Sequence, residues 1–169
     1  MTKLLLVRHG ETVDNVNKIM QGQTQGQLTP AGKRQAEQLA EQLAGTSIDA
    51  FVSSDLKRSF DTCLILARPH RQSVIQTPLL RERDWGGFTG LYIPDLKDKT
   101  WPDDIESLQA LRARASRFLQ FIRNQYPGKT VLAVGHGIIN KAIQAEYYHK
   151  EMHQIDKMAN MEVREMLLE

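Results

Sequence analysis

Two stretches of the sequence end alike: "LLLVRHG" (residues 4–10) and "VLAVGHG" (residues 131–137) each carry an apolar run into a histidine followed by glycine. If the two runs are parallel neighbours in one sheet, His9 and His136 face a common crevice, because ligands of open α/β sheets sit beyond the carboxyl ends of the strands. Gly10 and Gly137 are then expected to let the backbone turn tightly and bring N–H groups close to a ligand. Arg8 stands beside His9, and Arg58 falls in the first turn of a helix that follows the run "AFVSS". A cation there opposes the helix macrodipole, which makes sense where an anion shares the site. The group that suits two imidazoles and two guanidiniums is a phosphoryl dianion, with its three acceptor oxygens. The expected chemistry is a covalent phosphohistidine: one imidazole, neutral at its reacting nitrogen, attacks phosphorus in line while the arginines neutralise the equatorial oxygens. The leaving alkoxide needs a proton, and Glu82 in "LRERDWGG" is the candidate acid, on the expectation that a partly buried carboxyl beside a dianion has a raised pKa.

Each residue alone has a plainer reading. A histidine closing an apolar strand fits a satisfied core position, Arg58 a solvated helix face, and Glu82 a surface ion pair with Arg81 or Arg83. The joint pattern carries the chemistry. His149 and His153 have i,i+4 spacing, but the residues between them lack the glutamate of a metalloprotease helix, so no metal is assigned.

These residues need a scaffold. The chain has 169 residues, one domain's worth (residues 1–169). It is 41% hydrophobic and 25% charged, with a net charge of +2. No basic run points to nucleic acid, and no apolar segment is long enough for a secretory signal or a membrane span. The single cysteine, Cys63, excludes an internal disulfide and reads as a core residue; together these favour the cytoplasm. Residues 4–7 read as a buried strand and 13–28 as a surface loop containing the Gln-rich "QGQTQGQ". A helix follows with Thr29 as cap and Pro30 in first position, closed by Gly45. "DAFVSSD" reads as a second strand whose Ser53, Ser54 and Asp55 cap the helix "LKRSFDTCLILAR". "SVIQTPLL" is a third strand-like run and 81–104 mostly loop. A long amphipathic helix begins near Ile105, "TVLAVGHG" is a strand, 138–151 a helix, and "EVREMLLE" a last strand. The alternation predicts an α/β domain with a largely parallel sheet.

"LLLVRHGET" with Asn15, "LTPAGKRQA", "VSSDLKRSFDT", "LRERDWGGFTG" and "VLAVGHG", in that order, resemble the histidine phosphatase superfamily, phosphoglycerate-mutase-like branch (branch 1), small phosphatase type. The resemblance implies a three-layer α/β/α sandwich with one antiparallel strand. It implies His9 as phosphoacceptor, Arg8, Arg58 and His136 as the phosphate pocket, and Glu82 as proton donor. Asn15 and the Gly137 backbone are implied as further phosphate contacts. The sequence departs from the family at Gln25, where an acidic residue is common, and in the short stretch between Gly90 and the following helix. Mutases of this family insert basic residues there to hold a bisphosphate. The short stretch favours a metal-independent, cofactor-free phosphomonoester hydrolase. The alternatives are a phosphoglycerate-mutase-type transferase and a weakly catalytic phosphate-binding module. Asp84, Trp85, Tyr92 and Trp101 are the candidates to read the leaving group. The expected partner is a small phosphorylated molecule: a sugar phosphate, a nucleotide-like or cobamide-precursor phosphate, another small organic phosphate, or a phosphohistidine protein. Oligomeric state is not legible, because an amphipathic helix buries its face equally well within one chain or between two.

Overall fold

A computed structural model describes residues 1–169. Five strands form one sheet: β1 (Thr2–Arg8), β2 (Ala50–Ser53), β3 (Val74–Gln76), β4 (Thr130–Gly135) and β5 (Val163–Leu168). Their spatial order is β3-β2-β4-β1-β5; β5 alone runs antiparallel. The longer helices are α2 (Pro30–Leu43), α3 (Lys57–Ala67), α4 (Leu108–Gln125) and α5 (Gly137–Tyr148).

Alternation along the strands builds the three layers. Leu4, Leu6, Val131 and Ala133 point to one face, where they pack with Leu111, Phe118 and Ile122 of α4 and Ile139 and Ile143 of α5. Leu5, Val7, Leu132 and Val134 point to the other, against Leu39 and Ala40 of α2 and Cys63 and Leu66 of α3. Both faces of β1 and β4 are therefore covered, which is why these strands read as continuous apolar runs. No helix is long and apolar enough to cross a membrane.

Several expected boundaries move. Residues 13–28 hold a short helix, α1 (Val13–Asn17), with a capping box between Thr12 and Asn15. The third strand stops at Gln76, because Pro78 offers no N–H to a ladder and Thr77 caps a 3-10 turn over Pro78–Leu80. The long helix starts at Leu108, where Ser107 accepts the Ala110 N–H at 3.0 Å. Ser53, Ser54 and Asp55 do not cap α3. Its N-cap position is Leu56, without a side-chain bond. Gln25 of the Gln-rich loop serves instead, its Oε1 accepting the Lys57 N–H at 2.9 Å and its carbonyl the Arg58 N–H at 3.1 Å. His149 lies in the left-handed region after α5, and His153 belongs to a separate 3-10 turn, so they share no helix face.

Candidate active site

The parallel pairing of β1 with β4 aligns Arg8 with Gly135, so His9 and His136 leave the sheet side by side. Their ring centroids are 5.1 Å apart. Both rings are buried. His9 Nδ1 lies 2.7 Å from the Gly10 carbonyl oxygen. A carbonyl only accepts, so Nδ1 carries the proton and Nε2 keeps its lone pair. Burial, and then the Arg58 charge, push the His9 pKa down to about 3, against the opposing effect of the Gly10 bond. His9 is therefore a neutral imidazole whose free lone pair is on Nε2. His136 is held well below its ordinary value, by burial first and then by Arg58. Its Nε2 is 2.7 Å from the Ser54 hydroxyl.

The two arginines are anchored by backbone carbonyls. Arg8 Nη1 donates to the Met158 carbonyl at 2.7 Å. Arg58 is 1% exposed and donates to the carbonyls of Gly22 (2.8 Å) and Thr24, so it fastens the Gln-rich loop over the site. Burial lowers both pKa values, that of Arg58 to about 10, so it stays cationic at neutral pH. Five buried side-chain polar atoms lack a partner, and three of them are Arg8 Nε, Arg58 Nε and His136 Nδ1. Buried polar atoms are nearly always satisfied. The three orphans, on Arg8, Arg58 and on His136 beside His9, leave hydrogen-bonding capacity unused at this site.

The Glu82 carboxyl pairs with the guanidinium of neither flanking arginine. Its Oε2 accepts the Ile138 N–H at 3.0 Å, and its Oε1 accepts those of Ile139 and Arg83, both at 2.9 Å. The carboxyl thus occupies the first turn of α5, where N–H groups have no intrahelical partner. Arg114 of α4 holds this segment, donating to the Leu79 carbonyl at 3.0 Å and the Arg81 carbonyl at 2.6 Å. Arg81 instead pairs with Asp55.

A cleft of about 290 Å³ joins these groups. Arg8, His9, Asn15, Arg58, Glu82 and Gly137 line it, and Trp85 forms part of its wall. His136 lies beneath, against His9. Tyr92 is not brought in: it is 45% exposed, tied to Ile19 through an isolated bridge, and absent from the cleft lining. Asp84 and Trp101 also lie outside it. Gly10 has another role than the expected one. Its N–H donates to Thr62 Oγ1 at 3.2 Å, and a Cβ there would meet the Gly32 carbonyl at 2.8 Å. The glycine serves close packing of α2 on the turn after β1. Four contributors escape sequence reasoning. Ser54 reads as a capping residue and Arg114 as one more helix cation. Gln25 and Lys157, the latter another cation in the cleft lining, carry no local signal. No cluster of three or more His, Cys, Asp or Glu that could hold a metal ion is present.

The chain is 35% identical over 150 residues to the uncharacterized phosphatase PhoE of Bacillus subtilis (strain 168), covering 86% of this chain and 77% of that one. It is 31% identical to phosphoserine phosphatase 1 of Hydrogenobacter thermophilus, covering 85% and 74%. The mycobacterial glucosyl-3-phosphoglycerate phosphatase, solved in complex with VO3, superposes with a TM-score of 0.88 at 27% identity, over 96% of this chain and 91% of that one. The sequence model of the histidine phosphatase superfamily (branch 1) matches residues 4–168. The chain belongs to that superfamily.

Proposed function

We propose that this protein is a metal-independent phosphomonoester hydrolase that works through a phosphohistidine at His9. The observation that carries the reading is the His9 ring itself: Nδ1–H is committed to Gly10, and Nε2 is free in a cleft lined by two arginines, each with an unpartnered Nε. Nε2 attacks phosphorus and the bond from phosphorus to the leaving oxygen breaks. Arg8, Arg58, Asn15 and the Gly137 N–H hold the phosphoryl oxygens. His136, with its unpartnered Nδ1, offers a further donor. Glu82, in its acid form, delivers a proton to the departing oxygen. Oε2 has one N–H partner where Oε1 has two, so Oε2 is the atom with room for that proton. Water then attacks the phosphohistidine, Glu82 takes its proton, and inorganic phosphate leaves with His9 neutral again.

A mutase would need further cations to retain a bisphosphate, and beyond Arg8 and Arg58 the cleft lining offers only Lys157. Relatives named as phosphatases support the hydrolase reading. The test is turnover of p-nitrophenyl phosphate together with acid quenching to trap the phosphoenzyme. The expected label is acid-labile and base-stable, as a phosphohistidine is. His9→Asn should lose both label and several orders of magnitude in kcat. Full turnover by that variant would refute the assignment.

A further inference from the structure

Beside the phosphate cleft lies a second cavity of about 380 Å³, lined by Met20, Trp85, Phe88, Ile93, Leu96 and Trp101, with Lys97 its only charged residue. Met20, Trp85 and Ile93 line both cavities, so the two are adjacent and share a wall. We propose that this cavity is the subsite for the leaving group, and that the preferred substrates are phosphomonoesters with an apolar or aromatic body next to the phosphate. The proposal rests on the phosphomonoester reading of the neighbouring cleft.

Three features separate this cavity from ordinary packing under a loop. First, its wall is built in advance. Trp85 and Trp101 meet edge to face at 5.4 Å, Phe88 meets Trp101 at 6.2 Å, and the Arg83 guanidinium lies 4.9 Å from the Trp85 ring and 5.3 Å from Trp101. Second, the loop is clamped. Asp104 Oδ1 accepts the Gly87 N–H at 2.9 Å, and the Asp84 carbonyl accepts the Glu106 N–H at 2.8 Å. Gly86 has φ +51°, and a Cβ there would lie 2.3 Å from Asp104 Oδ1, so the turn that presents Trp85 requires glycine. Third, the rigid aromatic wall does not close on itself. Trp101 stays 53% exposed and Ile93 44%, over a volume well beyond the ~150 Å³ that suffices for a benzene ring. Apolar surface held open next to an anion site fits a ligand with an anionic head and an apolar body.

The experiment measures binding apart from turnover. Methyl- to hexylphosphonate share the head group, cannot be hydrolysed, and are titrated against the protein by calorimetry and tryptophan fluorescence. Affinity should rise roughly threefold per methylene until the cavity is filled. In Trp101→Ala the hexyl-to-methyl affinity ratio should fall severalfold; a ratio within one variant is insensitive to partial loss of folded protein. A flat series in the wild type overturns the proposal. So does tryptophan fluorescence that responds to protein concentration and not to ligand, which would assign this face to a second copy of the chain. The hydrolase reading fails separately, when phosphonates bind with the expected length dependence and no phosphomonoester is turned over.

Discussion

The buried His9 makes the fold acid-sensitive in a window set by imidazole and not by carboxylates. In the unfolded chain a histidine titrates near 6.5, whereas in the fold His9 is held at about 3, chiefly by burial and then by the Arg58 charge. Between these values the unfolded chain binds a proton that the native state refuses. Stability therefore rises with pH through the window and falls as pH drops below 6.5. At pH 5 the unfolded ring is almost fully protonated and the native ring is not. His9 alone then weighs ~2 kcal/mol against the fold, relative to pH 7.5. For a domain of this size that is about 4–8 °C in Tm. His136 is shifted in the same direction and adds to the loss. The lowered carboxyl of Asp55 starts from 3.8, so its share is lost only at pH below the span from 7.5 to 5.0. The assay is urea unfolding at pH 7.5 and 5.0 in phosphate-free buffer, for wild type and His9→Asn, whose amide can still donate to the Gly10 carbonyl. The pH-dependent loss should shrink by about 2 kcal/mol in the variant. Equal losses in the two proteins would refute the claim that His9 is held neutral by its surroundings.

Three further outcomes are expected. Glu82→Gln should lower kcat by ~10²–10⁴ on alkyl phosphates, which need a proton on the leaving oxygen, and by much less on p-nitrophenyl phosphate; equal losses on both would remove Glu82 as the acid. Ser54→Ala removes the His136 Nε2 partner, so the ¹⁵N signals of that ring should change and phosphate affinity should drop about tenfold, consistent with ~1–3 kcal/mol for an orphaned buried group; an unchanged ring spectrum would deny Ser54 a positioning role. Gly32→Ala would set a Cβ 2.2 Å from the Glu11 carbonyl oxygen, and should cost about 2–3 kcal/mol in urea unfolding; an unmoved midpoint would show that the turn after β1 can yield.

What was legible in the sequence is what neighbouring residues decide among themselves. The runs at 4–7 and 131–134 are apolar because both faces of a central strand are covered. Thr29 with Pro30 marks a helix start because capping is local chemistry. The likeness of "VRHG" to "VGHG" is visible as text, and so is the cation placed against the dipole at Arg58. Where the sequence misled, the competing partner came from far along the chain. Gln25 caps α3 from 32 residues away, a role that Ser53, Ser54 and Asp55 fit by type. Gly10 is small to admit Gly32, not to bind a ligand. Tyr92 matches Trp85 in character, yet is not part of the cleft lining, and its backbone is bridged to Ile19, far earlier in the chain.

The sequence by itself determined the α/β class and the two histidines at strand ends, and its charge types are those that suit an anion there, since periodicity, capping and charge type act over a few residues. Only the tertiary structure decided which nitrogen of His9 is free and how far its pKa is lowered. It also seated Glu82 in the first turn of α5 and set an apolar chamber beside the phosphate cleft. Those properties arise from burial and from groups brought together across the chain, and no local pattern records them.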